Sequence, residues 1–277
     1  MFVCRCLRLY DISLYLNQEL PITERHSADD AAILASMALI HVANSGPGAA
    51  LLRSIAILET LLESSKHNYD ALLIQIRLCL RLGLPSLSLE HYVQLSVKSM
   101  QHATLSWILY THISVIHPYP YVHQHSTTEA PPIIDLSESI TSALDWHGVA
   151  EQTLSDSMIK MLREGQYNMF FDTLSLQRSL KMGFSRLLLV SERSRIQNMT
   201  GVSIRKEYTS ISSKRTLILM TCADSAKGDI GAQIYDNRDW AVFPSYEGEP
   251  NCPFIHWLGI FPGQPVDVSG ETLNAWL

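Results

Sequence analysis

The sequence predicts an all-α protein in which antiparallel helix pairs stack into a superhelix, with an irregular C-terminal tail. Over the first 117 residues apolar side chains recur at intervals of three and four, the spacing that covers one face of a helix. Glycine and proline mark short turns between these stretches, and one helix pair is matched by residues 34 positions earlier. With 47% apolar and 17% charged residues, the chain has the composition of a protein that buries a core.

The first predicted pair joins AAILASMALIHVA to ALLRSIAILETLL. Ser27 and Asp30 form a capping pattern ahead of the first of these helices, with Asp in place of the usual Glu or Gln. Pro47 stands where a first helical residue belongs in the second. Both segments are therefore predicted to be helices that face each other across a short turn.

The next pair surrounds the sequence RLGLP. Asn68 is predicted to cap the helix YDALLIQIRLCLRL, because its side-chain oxygen accepts from a free backbone N–H. Gly83 is predicted to end that helix in the left-handed conformation, and Pro85 to begin the following one.

These turns fit a repeat of 34 residues. Counted from Gly83, the small Ser88 and the aromatic Tyr92 have the spacing of a tetratricopeptide unit, in which a small side chain allows two helices to approach. The corresponding positions 34 residues earlier are Ala49, Ser54 and Leu58. We predict tetratricopeptide-like helical hairpins; a plain helical bundle needs the same amphipathic faces and stays the alternative.

Composition divides the chain into four predicted segments. Residues 1–117 are the helical hairpins, 118–133 a Pro/His-rich linker, 134–213 a helical region that continues the array, and 214–277 an irregular tail. Gly165 and Gly183 are predicted breaks within the third segment. Aromatic residues are expected to hold the tail on the helices: Trp240, Phe243, Tyr246, Trp257 and Trp276.

Bulk properties exclude several classes of protein. A net charge of −6 and a pI near 6.0 argue against general affinity for nucleic acid, so no DNA partner is expected. The longest apolar run, residues 31–43, is too short to span a membrane and contains His41. Five scattered cysteines fit the reduced thiols of a cytoplasmic protein.

No catalytic, cofactor-binding or metal-binding residue is predicted. The histidine-rich region contains His112, His117, His123 and His125, followed by Asp135, but it lacks the spacing of a known metal site. We interpret these as loop histidines exposed to solvent, and His91 and His102 as satisfied residues at the edge of an apolar face. A metal enzyme is the least favoured hypothesis. The sequence GDIGA at residues 228–232 is interpreted as a turn.

A basic stretch covers residues 178–215, which contain nine Lys or Arg residues and only two acidic residues. From Asp224 to the end, the sequence contains eight acidic residues and two basic residues. The favoured interpretation is a solvated helix face beside an acidic tail that folds back on it. Contact with RNA or the ribosome, or with a protein partner, stays open.

Several phrases resemble one family. The segment from NYDALLIQIRLCLRLGLPSLSLEHYVQL to SMQHATLSWILYTHIS is similar to the auxiliary, non-catalytic subunit of the NatB N-terminal acetyltransferase complex, in its fungal form. Further resemblance lies in LRLYDISLYL, in LDWHGVAEQTLSDSMIKMLREGQYNMFFDTLSLQRSL and in IYDNRDWAVFPSYE. Its most specific residues are Lys98, Gln101, His102, Thr104 and Leu105.

The resemblance implies a tetratricopeptide-like superhelix that binds the catalytic acetyltransferase subunit and helps to position it at the ribosome. That complex acetylates nascent chains beginning Met-Asp, Met-Glu, Met-Asn or Met-Gln, with acetyl-coenzyme A bound by the partner. This chain is thus expected to be a cytoplasmic protein, not an enzyme and without a cofactor, and to correspond to a C-terminal portion of longer family members. The alternative is a generic helical-repeat adaptor of another protein complex.

Overall fold

The computed structural model describes residues 1–15, 24–44, 49–119, 121–122, 133–134, 136–201 and 234–244. These residues form two compact units. Unit 1 contains the described residues within 1–97 and 240–244, and unit 2 those within 98–239. The four segments predicted from composition are defined differently, and that division stays a prediction.

Unit 1 is built from five helices, each packed against the next along the chain. They are α1 (Phe2–Leu14), α2 (Asp29–Asn44), α3 (Ala49–Ser64), α4 (Tyr69–Arg81) and α5 (Pro85–Gln94). Helix α4 is the centre of this unit, because every residue from Ala71 to Leu80 is buried. Two polar side chains, Gln75 and Arg77, lie within this buried stretch.

The ends of α4 follow the local chemistry of the sequence. Asn68 Oδ1 accepts from the backbone N–H of Ala71 at 3.1 Å, which confirms the predicted cap. Gly83 has φ of +72°, and the N–H of Leu84 donates to the carbonyl of Cys79 at 2.8 Å, so the helix ends as predicted. Pro85 is at the start of α5, also as predicted.

Small residues lie where the paired helices approach. Ser88 is fully buried and its Oγ donates to the carbonyl of Ile76 at 3.0 Å, which joins α5 to α4. Ser54 is buried against Ser36, with their Oγ atoms 2.5 Å apart, which joins α3 to α2. The two predicted contact serines therefore occupy equivalent places in successive pairs, while the tetratricopeptide-like character of the pairs stays a prediction.

The start of α2 differs from the expected capping pattern. The helix begins at Asp29, so Ser27 lies two residues before it instead of at the cap. His26 Nδ1 accepts from the N–H of Ala28 at 3.0 Å, and Asp29 is buried against the side-chain amide of Asn68. A contact distant in sequence thus determines this helix start. Pro47 lies outside the described residues.

Unit 2 contains six helices and two short strands among its described residues. They are α6 (Gln101–Thr104), α7 (Ser106–Tyr110), α8 (Ile113–Ile116), β1 (Tyr121–Val122), β2 (Ile133–Ile134), α9 (Leu136–Glu164), α10 (Tyr167–Lys181) and α11 (Phe184–Thr200). Helix α11 packs against α6, α7, α8 and α9, while α10 packs against α9. Strands β1 and β2 pair antiparallel; β1 lies in the predicted linker and β2 spans its end at residue 133, where no strand was expected.

The predicted all-α class of helical hairpins is confirmed in the described part of the chain. Gly165 ends α9 with φ of +73°, and Gly183 separates α10 from α11, both as predicted. No described helix combines the length and apolar character needed to span a bilayer. Residues 202–233 and 245–277, which include the predicted turn at 228–232 and most of the predicted tail, lie outside the described residues. Within the described tail, Phe243 is buried and Trp240 is half-buried.

Candidate functional site in unit 2

Three parts of unit 2 meet although they are far apart in the sequence. Residues 234–239, here called the return segment, lie beside both α6 and the turn between α10 and α11. The N–H of Asp239 donates to the carbonyl of Thr104 at 3.0 Å. The backbone of Tyr235 pairs with the turn: its carbonyl accepts from the N–H of Phe184 at 2.9 Å, and its N–H donates to the carbonyl of Met182 at 3.0 Å. Thr104 and the return segment lie in two of the phrases that carry the family resemblance, and the turn directly follows a third, which ends at Leu180.

Side chains of the return segment close this junction. Asn237 Nδ2 donates to the carbonyl of Ser179 at 2.8 Å. The guanidinium carbon of Arg238 lies 4.0 Å from the centre of the Phe184 ring, a cation–π contact. A Cβ atom on Gly183 would lie only 2.8 Å from Asn237 Nδ2 and 2.9 Å from the Ser179 carbonyl. The close approach therefore requires glycine at position 183 in this arrangement.

Helix α6 is held mainly by α11 and by its own turn. The buried Ser185 Oγ donates to the carbonyl of Ala103 at 2.6 Å. Trp107 Nε1 donates to the carbonyl of Thr104 at 2.8 Å, and Gln101 Oε1 accepts from the N–H of Lys98 at 2.9 Å. The carbonyls of Ala103 and Thr104, which a helix of four residues leaves unpaired, thus accept from side chains.

Two imidazoles and an indole fill the space between α6 and α9. His102 stacks on Trp146 with ring centres 5.5 Å apart, and Trp146 contacts His147 edge-on at 4.9 Å. Burial, followed by the charges of Arg186 and His102, lowers the pKa of His147 to about 3. Burial also lowers the pKa of His102. The neutral imidazoles therefore act as packing groups between α6 and α9, where His147 is buried and His102 is half-buried.

Charged residues join the three long helices. Glu151 of α9 lies 3.2 Å from Lys181 of α10 and 3.2 Å from Arg186 of α11. Although burial opposes ionisation of Glu151, these two cations hold the pKa of that carboxyl below its usual range.

A second buried acid orients α8. Glu192 is 1% exposed, its Oε2 accepts from the N–H of Ser114 at 2.9 Å, and its Oε1 accepts from Arg195 at 3.1 Å. The carboxylate thus holds the first turn of α8 against α11.

The described residues contain no cluster suited to hold a metal ion. No group of three or more His, Cys, Asp or Glu side chains is placed to hold a metal ion in this part of the chain. His112 is exposed and His117 half-buried, while His123, His125 and Asp135 lie outside the described residues. The absence of a site in that loop stays a prediction.

In unit 1 His91 is also better described as a core residue than as an edge residue. It is 4% exposed, and its Nε2 lies 3.1 Å from Glu59 Oε1. That hydrogen bond, against the opposing effect of burial, holds the pKa of Glu59 below its usual range. Gln75 donates to the same oxygen at 2.8 Å, so this network links α3, α4 and α5.

The described part of the basic stretch is largely engaged within the protein. Lys181 and Arg186 pair with Glu151, and Arg195 pairs with Glu192. Arg178 is exposed and has no ion-pair partner among the described residues. Residues 202–215 lie outside the described residues, so the three interpretations of the stretch stay open for them.

The residues described above are also those that match known proteins. A family model described as "N-acetyltransferase B complex (NatB) non catalytic subunit" matches residues 1–240. The "N-terminal acetyltransferase B complex subunit arm1" of Schizosaccharomyces pombe is 25% identical over 263 residues, which cover 92% of this chain and 28% of that protein. The chain thus spans less than a third of the length of this relative.

Two solved structures share the fold. "The NatB Acetyltransferase Complex Bound To CoA and MES" matches with a TM-score of 0.58 and 17% identity, over 84% of this chain and 28% of its own. "The NatB Acetyltransferase Complex Bound To bisubstrate inhibitor" matches with a TM-score of 0.61 and 17% identity, over 87% and 32%.

The family match covers every described helix of both units. Because the family consists of non-catalytic subunits, the prediction that this chain is not itself the enzyme is confirmed. The chain belongs to the family of non-catalytic subunits of the N-terminal acetyltransferase B complex.

Proposed function

We propose that this chain is a scaffold of a NatB-like complex that binds the catalytic acetyltransferase subunit and does no chemistry of its own. The observation that carries the proposal is the family match over residues 1–240. The solved chains that share its fold belong to NatB complexes, which supports a catalytic acetyltransferase as the partner. The proposal includes the family's role in acetylating nascent chains that start with Met-Asp, Met-Glu, Met-Asn or Met-Gln.

The internal organisation of the two units suits a scaffold. In unit 1, α4 is enclosed over ten successive residues, from Ala71 to Leu80, so the helix pair has a rigid interior. In unit 2, buried side chains and the return segment fix the positions of α6 to α11. Rigid helices present the same surface to every incoming partner, which lowers the entropy lost on binding.

Placement at the ribosome and a cytoplasmic location are further parts of the proposal. They follow from the family resemblance. Within the basic stretch, Arg205, Lys206, Lys214 and Arg215 carry positive charge of the kind that meets the phosphates of ribosomal RNA. Co-sedimentation with ribosomes at low and high salt tests this part independently of the partner.

The direct test is co-expression of this chain with the catalytic NatB subunit of the same organism, followed by size-exclusion chromatography with light scattering. We expect a complex with one copy of each protein. The fission yeast relative with its own catalytic subunit is the positive control, and a catalytic subunit from a different N-terminal acetyltransferase is the specificity control. Separate elution of the two proteins, while the positive control forms its complex, would contradict the proposal.

A second measurement asks whether the complex has the expected specificity. Acetyl transfer to a peptide beginning Met-Asp is compared with transfer to one beginning Ser-Ala, with and without this chain. We expect the chain to raise the rate only for the Met-Asp peptide. A stable complex with some other protein, together with no effect on transfer, would favour the generic adaptor.

A further inference from the structure

We propose that one side of the α9–α10 hairpin is a docking surface for an acidic amphipathic helix of a partner protein. The surface, here called the hairpin face, consists of Ile159 and Arg163 of α9 with Tyr167, Phe171 and Arg178 of α10. The inference rests on the geometry and charge of these residues and does not depend on the proposed function.

The far half of the hairpin has no buried residue. The first part of α9 is well packed, with Leu136, Ile140, Ala143 and His147 all buried. From residue 148 to residue 179, by contrast, every residue is half-buried or exposed. The two helices here cover each other along one line only, and their flanks are open. Such a pair gains little from its own interior, so its apolar flanks are not explained by packing within the described chain.

Hydrogen bonds mark the line along which the two helices meet. Gln177 Nε2 donates to Ser155 Oγ at 2.7 Å, and Thr173 Oγ1 lies 3.5 Å from the sulfur of Met161. Nearer the base of the hairpin, Lys181 pairs with Glu151. This contact line is the reference from which the sides of the hairpin are assigned.

Helix geometry places the hairpin face on a single side. Ile159 and Arg163 are four residues apart, and Tyr167, Phe171 and Arg178 follow at intervals of four and seven, so each set forms a row along its helix. At about 100° per residue, each row lies roughly a quarter to a third of a turn around its helix axis from the contact line. In both helices this rotation has the sense in which the chain winds from its N-terminus to its C-terminus. Since the helices are antiparallel, equal rotations bring the rows to the same side.

The composition of this side is that of an interface. Ile159, Tyr167 and Phe171 are 51%, 60% and 67% exposed. The Phe171 ring contacts Phe170 edge-on at 5.6 Å, which restricts its rotamers before any partner arrives. Aromatic residues and arginine are enriched at protein interfaces and among the residues that contribute most to binding.

The positive charge of the hairpin face indicates that its partner helix is acidic. Arg163 and Arg178 are exposed and have no ion-pair partner among the described residues. Among the acids of the same half of α9, Glu151 pairs with two cations and Glu164 with Lys160, while the exposed Asp156 accepts a hydrogen bond from Gln152. Two cations at opposite ends of an apolar row therefore favour a helix with acidic residues toward both ends.

The length of the row sets the length of the partner. From Tyr167 to Arg178 the hairpin face extends over about 17 Å, at about 1.5 Å per residue. A partner helix of three to four turns, roughly 12 to 14 residues, covers this distance. Its apolar residues are expected at helical spacing, so that they contact Tyr167 and Phe171 together.

The test uses a defined probe, a fluorescein-labelled peptide of about 14 residues with leucines along one face and glutamates toward both ends. A second peptide replaces each glutamate with lysine. Fluorescence anisotropy with the full chain is expected to give a Kd on the order of 10 µM for the acidic peptide and at least about tenfold weaker binding for the basic one. Equal affinity for both, or no binding of the acidic peptide, would overturn the proposal.

Variants locate the binding on the hairpin. Phe171→Ala and the double variant Arg163→Glu with Arg178→Glu are each expected to weaken binding at least about tenfold. Met169→Ala and Leu176→Ala are the matched controls, because both side chains are exposed on the opposite side of α10 and should leave the affinity unchanged. Thermal unfolding followed by circular dichroism checks that all variants fold.

Two results with these variants would contradict the assignment. Equal loss of binding in the Met169→Ala variant would show that the peptide does not recognise the hairpin face. A concentration-dependent rise in mass that Phe171→Ala abolishes would show that a second copy of the chain occupies the face instead of an acidic partner helix.

Discussion

Two pairs of consecutive helices in this protein have the same connectivity and opposite surroundings. In the α4–α5 pair, ten successive residues of α4 are buried. In the α9–α10 pair, no residue between 148 and 179 is buried. The hairpin as a local structure therefore does not decide whether it belongs to the core or to the surface. What decides is whether further helices cover its flanks.

The two pairs also differ in how they use polar residues. The buried Ser88 bonds to the Ile76 carbonyl and brings α5 close to α4, while Gln75 is bonded to Glu59. In α9 and α10 the polar residues lie along the contact line itself, as in the bond from Gln177 to Ser155. The first pair is held by a fully buried apolar interior, whereas the second combines polar contacts with apolar residues that are only half-buried, such as Leu154, Met158 and Leu174. The two pairs should therefore respond differently to substitution.

The largest expected difference comes from removing one leucine from each pair. Leu72 is fully buried in α4, so Leu72→Ala should lower the free energy of unfolding by about 2 to 5 kcal/mol. Leu162 is 47% exposed in α9, and Leu162→Ala should cost less than about 1 kcal/mol. Urea denaturation of the two variants measures both values. Equal losses would show that the far half of the hairpin is covered in solution.

The next largest effect concerns His147, in the buried half of α9. Its pKa is about 3 in the folded protein against an ordinary value of 6.5, so between these values the unfolded chain binds a proton that the folded chain does not. Stability should therefore fall as the pH falls through this range. Between pH 7.5 and pH 5 the expected loss from this residue is about 2 kcal/mol.

The control for this effect is His147→Leu, which removes the titrating group. Its unfolding free energy should change less over the same pH range, by about 2 kcal/mol. The range ends above the ordinary value of 4.5 for Glu59 and Glu151, whose lowered pKa values affect stability at more acidic pH. Parallel pH profiles for the two proteins would show that His147 is not buried in its neutral form.

The smallest expected effect is at the start of α4. Asn68→Ala removes both the cap on Ala71 and the hydrogen bond to the buried Asp29. The expected cost is about 1 to 2 kcal/mol, measured by thermal or urea unfolding. Asn68→Ser keeps an oxygen for the cap and loses the contact with Asp29, so an intermediate value is expected. A neutral Asn68→Ala variant would mean that neighbouring helices alone fix this helix start.

Local features of the sequence were sufficient to predict several boundaries of the fold. Asn68, Gly83 and Pro85 are placed as expected because capping, left-handed glycine and the restricted proline ring act within a few residues. The buried contact serines Ser54 and Ser88 could also be predicted from the sequence, since a regular spacing brings small residues to the same place in each pair.

The junction in unit 2 was not predictable in the same way. The phrases around Gln101 and Asn237 were singled out by resemblance, but their contact joins segments more than a hundred residues apart in sequence. The return segment has no periodic pattern, because its hydrogen bonds go to the ends of helices and not to a regular partner. Similarly, the bond from Glu192 to the N–H of Ser114 links two elements with no local signal.

Helix α9 shows a different limit of local reasoning. It runs unbroken for 29 residues through Gly148, where a Cβ would meet no neighbouring atom. A glycine inside a helix costs about 1 kcal/mol relative to alanine, which contacts with α10 and α11 outweigh. The pairing of β1 with β2 was also not predicted, although Tyr121, Val122, Ile133 and Ile134 are all residue types with high strand propensity.

The return segment also has a consequence for the order in which the protein is made. The carbonyls of Ser179 and Met182 accept from residues 235–239, which are translated at least fifty residues later, and the carbonyl of Thr104, which already accepts from Trp107, gains a second donor there. Unit 1 has its five helices once residue 94 has emerged, although residues 240–244 join it later, whereas the helices of unit 2 wait with unpaired acceptors until residue 239 is synthesised. A chain that stops before residue 235 would thus carry the five helices of unit 1 and a unit 2 without its return segment, and we expect chaperones and proteases to act first on unit 2.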